Sequence, residues 1–225
     1  MGREMVKTFR VVRVALTLAL VVGVSGCVTG KVLTLPGELE RPQKQKTVNG
    51  AGGWPSVAVI DFSFPGASPH EIGRDFDHAR AIVWKGEPGK ALADLVVDVL
   101  NEKGVRAVRV SNESAVPADV AAKVWGSVEK FRIDARKKGS LKMKVELAAS
   151  VSVTVYGSGG TAPTGWSSAV ATDYVTTDPL FVTPDGIRDT VNGAANAVAE
   201  ETVRRLLNAG VITIPPGSPS VLPGR

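Results

Sequence analysis

Cysteine occurs once in this 225-residue chain and histidine twice. A single Cys excludes an intrachain disulfide framework, and with two His it leaves too few ligands for a Cys/His zinc cluster. The histidines, His70 and His78, offer little for histidine-based acid–base chemistry. No G-x-S-x-G motif is present, and no G-K-[ST] accompanies the glycine-rich residues 157–160. Neither a hydrolase nucleophile nor a phosphate loop is therefore signalled. Charge of one sign is scarce as well. The formal net charge is +5, but Arg3, Lys7, Arg10 and Arg13 against Glu4 supply much of it, and the chain beyond residue 26 carries 23 basic and 21 acidic residues. A nucleic-acid binder keeps its basic excess in the folded domain, so nucleic acid is not an expected partner. What the chain does have is a hydrophobic fraction of 44% with 22% charged residues, enough for a core. Its length suits one ordinary domain with flanking segments.

The N-terminus reads as an address. A basic stretch, starting at Met1 or at Met5, precedes the apolar residues 14–24. That run is about half of the ~20 residues a spanning helix needs and has the length of a signal-peptide core. Ser25 and Gly26 are small, and the next residue is Cys27. Val24-Ser25-Gly26-Cys27 resembles the lipobox of bacterial lipoproteins. The resemblance implies cleavage between Gly26 and Cys27, lipidation of the Cys27 thiol, and membrane attachment through it. Several acyl chains hold far more firmly than one, at ~0.8 kcal/mol per buried CH₂. By the same resemblance Val28, in place of Asp, directs the protein to the outer membrane, facing the periplasm.

Residues 27–53, rich in Pro and Gly, read as a flexible tether behind a signal peptide of residues 1–26. Residues 215–225, with Pro215, Pro216, Pro219 and Pro223, read as a disordered tail. The folded domain is expected over 54–214. Its first strand is the apolar run 57–60. A helix over 90–103 follows, with Leu92, Leu95, Val96, Val99 and Leu100 in one stripe and Gly104 as its stop. Strands are expected at 105–110, 123–134, 141–156 and 165–176; the third of these alternates apolar and polar residues throughout. Trp125, Phe131, Trp166 and Tyr174 on these strands read as core. A last helix opens at Thr183-Pro184-Asp185 and ends at Gly210. The order β-α-β-β-β-β-α predicts an α+β two-layer sandwich, a mixed sheet with both helices on one face.

That order behind a lipobox resembles the small periplasmic lipoproteins of the YajG-like and ABC-transport-auxiliary kind, with a core similar to the periplasmic domain of the curli-secretion lipoproteins. The features that match are strand 57–62, helix 90–103 with Gly104, the strand containing Val124-Trp125-Gly126-Ser127-Val128, the long hairpin and the closing helix. The resemblance implies a non-enzymatic accessory factor of envelope assembly or transport, without a cofactor or a catalytic residue to carry over. Two alternatives stay open: an oligomeric secretion-pore subunit and an envelope hydrolase.

The departure from that pattern is residues 63–89, 27 residues long and unusually long for a structureless connection. It holds His70, Glu71, Arg74, Asp75, Asp77, His78, Arg80, Trp84 and Lys85. It reads as a folded-back or mobile loop, as a partner or ligand surface anchored by Phe76 and Trp84, or as a metal set of His70, Asp75, Asp77 and His78 whose spacing fits no known motif. No metal is assigned. A Ser63, Asp77, His78 triad lacks any motif that places it. Arg132, Arg136, Lys137, Lys138, Lys142 and Lys144 crowd around the turn of the long hairpin. Arg136-Lys137-Lys138 is a candidate contact for an anionic envelope polymer, or simply a solvated tip that guards a sheet edge.

Overall fold

The computed structural model describes residues 32–41, 56–139, 144–179 and 181–213. Gly26, Cys27, Lys142 and the Pro-rich tail lie outside the described residues. The elements are β1 (Val32–Leu35), β2 (Val57–Ile60), β3 (His70–Asp75), β4 (Arg80–Trp84), α1 (Pro88–Glu102), β5 (Ala107–Val110), β6 (Ala122–Lys138), β7 (Lys144–Gly159), β8 (Trp166–Pro179) and α2 (Pro184–Asn208), with a 3₁₀ turn at Glu113–Ala115.

Alternation builds the sheet. In β7, Val145, Leu147, Ala149, Val151, Val153 and Val155 are buried, while Glu146, Ser150, Ser152 and Thr154 turn to the other face. The eight strands form one open mixed sheet. β6, β7 and β8 lie side by side, antiparallel. On its other side β6, with 17 residues, serves two neighbours. Its start pairs in parallel with β2, and Ile133, Asp134 and Ala135 near its end pair in parallel with β3. β5 extends the sheet from β2; β4 and then β1 extend it from β3.

Both helices cover the apolar face, so the predicted α+β sandwich is observed. The α1 stripe Leu92, Leu95, Val96, Val99 and Leu100 is buried, each side chain worth ~1.5–3 kcal/mol. Gly104 stops the helix with φ +79°. At the start of α2 the Thr183 Oγ1 accepts the Gly186 N–H at 3.0 Å, and Thr190 ties the helix to β8 through a 2.5 Å contact with the Thr176 hydroxyl.

Two expectations are corrected. The stretch read as tether contributes β1, where Leu33 and Leu35 are buried at 7% and 1% exposure. Beyond it, the Glu40 N–H donates to Asn192 Oδ1, the Asn196 amide donates to the Glu40 carbonyl, and Arg41 pairs with Glu102. The stretch 63–89, read as a loop, contains the β3–β4 hairpin. Gly73 makes that hairpin fit: a Cβ there would lie 1.5 Å from the Ile133 carbonyl oxygen.

Candidate functional site

The polar residues singled out in 63–89 divide between the two ends of this hairpin. Asp75, Asp77, His78 and Arg80 meet at its turn. Asp75 is fully buried. Its carboxylate accepts from Arg80 Nη2 at 2.6 Å and Nε at 3.0 Å, contacts His78 Nδ1 at 2.8 Å, and accepts the backbone N–H of Asp77 and His78. Burial opposes ionisation of Asp75, but the hydrogen bonds from Arg80 and His78 outweigh it and hold the carboxyl below its ordinary value. Asp77 accepts the backbone N–H of Lys137 at 2.6 Å and so fastens the turn to β6. The whole arrangement organises a turn.

His70 and Trp84 sit opposite each other at the far end of the hairpin. His70 packs edge-on against Phe64 at 4.9 Å between ring centroids. Trp84, read as a surface anchor, is a core residue: it is fully buried, edge-on to Phe131 at 5.4 Å. Arg74 is exposed and pairs with Glu71. Phe76 does reach the surface, with the Arg136 guanidinium 4.2 Å over its ring. Among the described residues no three His, Cys, Asp or Glu side chains gather as metal ligands. Ser63 bridges to Ser127 and Asp75 pairs with Ala135. Eight residues of β6, about 26 Å, therefore separate Ser63 from the turn that holds Asp77 and His78.

The surface left open by the fold is the other face of the β6–β8 sheet, together with its edge. Along it the small residues Ser127, Thr154 and Ala169 stand in line, as do Ser152 and Ala171 and then Ser150 and Asp173. Trp125 and Tyr174 were read as core, yet they are 38% and 39% exposed. Trp125 lies on the open face, stacked on its cross-strand partner Tyr156 at 5.9 Å and 13°. Beside it is a cleft of about 410 Å³ lined by Asp61, Ser63, Glu113, Lys123 and Trp125. Burial raises the Asp61 carboxyl above its ordinary value, with Arg109, 3.3 Å away, pulling it back. Tyr174 points to the helical side, against Gly193. Phe131 is buried, as expected, while Trp166 is half-buried and packs against the core from its margin.

β8, 14 residues long, pairs only with β7. Among the described residues its other edge meets no strand. One point of it is covered: Arg205 of α2 donates to the Ala169 carbonyl at 2.7 Å. Glu201 holds Arg205 and Arg204, and their hydrogen bonds lower its carboxyl to about 2.

No family model and no curated protein matches the chain. Solved structures resemble it in fold. A DUF330 protein from Xanthomonas campestris aligns over 79% of this chain and 96% of its own, at 14% identity and a TM-score of 0.48. A PelC dodecamer from Paraburkholderia phytofirmans aligns over 65% and 85%, at 16% identity and 0.37. Rare lipoprotein B from Shewanella oneidensis aligns over 67% and 97%, at 12% identity and 0.36. At these identities the likeness concerns the fold alone.

Proposed function

We propose that this chain is a lipid-anchored, non-catalytic accessory protein of the bacterial envelope, attached through Cys27 to the outer membrane and facing the periplasm. In this reading it belongs with the YajG-like and ABC-transport-auxiliary lipoproteins and engages an envelope protein of an assembly or transport system. The observation that carries the partner reading is the outer edge of the 14-residue β8, which meets no strand among the described residues and is covered at one point by Arg205. An unpaired edge of this length offers a row of backbone donors and acceptors to an incoming strand. Edges that avoid pairing are short or carry Lys; β8 contains no Lys, and its only Pro is its last residue. The candidate partner surface thus moves from the 63–89 stretch to β8, because that stretch is built into the sheet.

The oligomeric secretion subunit draws on the same edge, with a second copy as the incoming strand. A membrane-crossing hairpin needs an apolar face toward lipid. In β7 and β8 the open face carries Glu146, Ser150, Ser152 and Asp173, and the apolar face lies under α2. The test of the anchor is the mass of the N-terminal peptide from membrane-extracted protein. It should begin at Cys27 and carry acyl chains, and Cys27→Ser should release the protein from the membrane. A peptide beginning elsewhere, or an unmodified Cys27, overturns the reading.

A further inference from the structure

Peptide geometry limits how far the anchor of the preceding section lies from the fold. Five Cα–Cα steps separate Cys27 from Val32, so the two are at most ~18 Å apart whatever the conformation between them. β1 therefore joins the sheet beside the acyl chains, and the end at which it joins is set by its pairing. Val32 pairs with Ala81 at the start of β4, and Asp75, the last residue of β3, pairs with Ala135 near the end of β6. Lys138 pairs with Lys144 across the β6–β7 hairpin, and Lys144 with Pro179 at the end of β8. The start of β1, the β3–β4 turn, the tip of the β6–β7 hairpin and the exit of β8 thus share one end of the sheet.

Apolar and basic side chains collect at that end. Among the described residues the four most exposed large hydrophobics are Phe181 at 67%, Val32 and Val175 at 57%, and Phe76 at 46%, and all but Val175 are there. They are spread over the row β1, β4, β3, β6, β7, β8, which spans about 24 Å at the usual strand spacing. The described basic residues here are Arg136, Lys137, Lys138 and Lys144. Among the described residues Lys138 is paired with Glu146, while Arg136 lies over Phe76 and 4.0 Å from Asp134. Lys137 and Lys144 have no ion-pair partner among them. Of the described acidic groups near this end, Asp75 is engaged by Arg80, Asp77 by the Lys137 backbone and Asp185 by Arg188.

We propose that this end of the sheet, with Val32, Phe76 and Phe181 as apolar contacts and Arg136, Lys137 and Lys144 as phosphate contacts, is seated on the anionic phospholipid surface that holds the acylated Cys27. Exposed aromatics beside basic side chains are the composition that an interface of headgroups and acyl chains selects, and an acyl anchor gains from a basic patch beside it. The inference rests on the lipid-anchor reading. It replaces a domain that stands off the bilayer with one held end-on against it, leaving the opposite end, around Glu113, pointing into the periplasm.

The sole cysteine is consumed by the anchor, so single labelled thiols report position. Full-length lipidated protein carrying Phe76→Cys, Phe181→Cys or Glu113→Cys, each with a fluorophore, is placed in vesicles of phosphatidylethanolamine and phosphatidylglycerol at three to one. Quenching by nitroxide lipid is then read. Labels at 76 and 181 should be quenched about fivefold or more over the label at 113, and the difference should shrink in vesicles without phosphatidylglycerol or on combining Arg136→Glu, Lys137→Glu and Lys144→Glu. Equal quenching at both ends with Cys27 acylated overturns the seat alone. An unmodified Cys27 overturns the anchor, and the seat with it.

Discussion

Arg80 grips Asp75 with two hydrogen bonds to one carboxylate oxygen, 2.6 and 3.0 Å long, in a site where Asp75 has no solvent exposure. The pair closes the β3–β4 turn and turns a stretch that looks like an irregular polar loop into two strands of the sheet.

Removing that carboxylate leaves Arg80 and two backbone N–H groups without their acceptor. Asp75→Ala is expected to destabilise the domain by about 3–5 kcal/mol, read from the urea midpoint. The folded-state carboxyl is held below its ordinary value of 3.8, so its contribution is complete above that pH. The contribution is lost as pH falls through the lowered value, and the Asp75→Ala protein should lack this part of the acid transition.

Gly73 is required by the approach of Ile133. A methyl group at this position would overlap the Ile133 carbonyl, so Gly73→Ala should force β3 away from β6 and cost ~2–3 kcal/mol in thermal or urea unfolding. An unchanged midpoint would show that β3 does not pair there.

Leu35 distinguishes a strand from a tether. At 1% exposure, its truncation to Ala should cost ~2–5 kcal/mol. A free tether would register nothing.

Glu201 titrates far below an ordinary glutamate because Arg204 and Arg205 both hydrogen-bond to it. Its stabilising contribution is present above 4.5 and disappears as pH falls toward about 2. Carbon-detected NMR should place its midpoint there, and Arg204→Ala with Arg205→Ala should return it toward the ordinary value. Arg205→Ala alone should also uncover the Ala169 carbonyl on the β8 edge and raise cross-linking from β8.

The parts of the fold that were legible in the sequence are those where side-chain period and burial agree over many residues. β7 repeats its alternation across 16 residues, and α1 carries a full apolar stripe. β1 has four residues, two of them buried, too short an alternation to stand out beside Pro36 and Gly37. β3 fills its buried positions with His70, Ile72, Gly73 and Asp75. Three of these pack against partners that no periodicity marks: the Phe64 ring, the Arg80 guanidinium and, 60 residues away, the Ile133 backbone. Trp125 was legible in principle, since Val124, Gly126 and Val128 set the inward phase and leave it outward; its size pulled the reading toward the core. The residues of the turn cluster were found by composition, but their structural role depends on where β6 passes. The β8 edge left no local mark, because an unpaired edge is a property of the sheet as a whole.

The account turns on β8 as the surface that meets another protein. A photo-reactive residue at Ala171, exposed on the open face beside the free edge, would be cross-linked in intact cells and the lipidated product weighed. The account predicts one discrete adduct with a different envelope protein, absent when the same group stands at Glu113. A ladder of the chain with itself, or no adduct from β8, would contradict it.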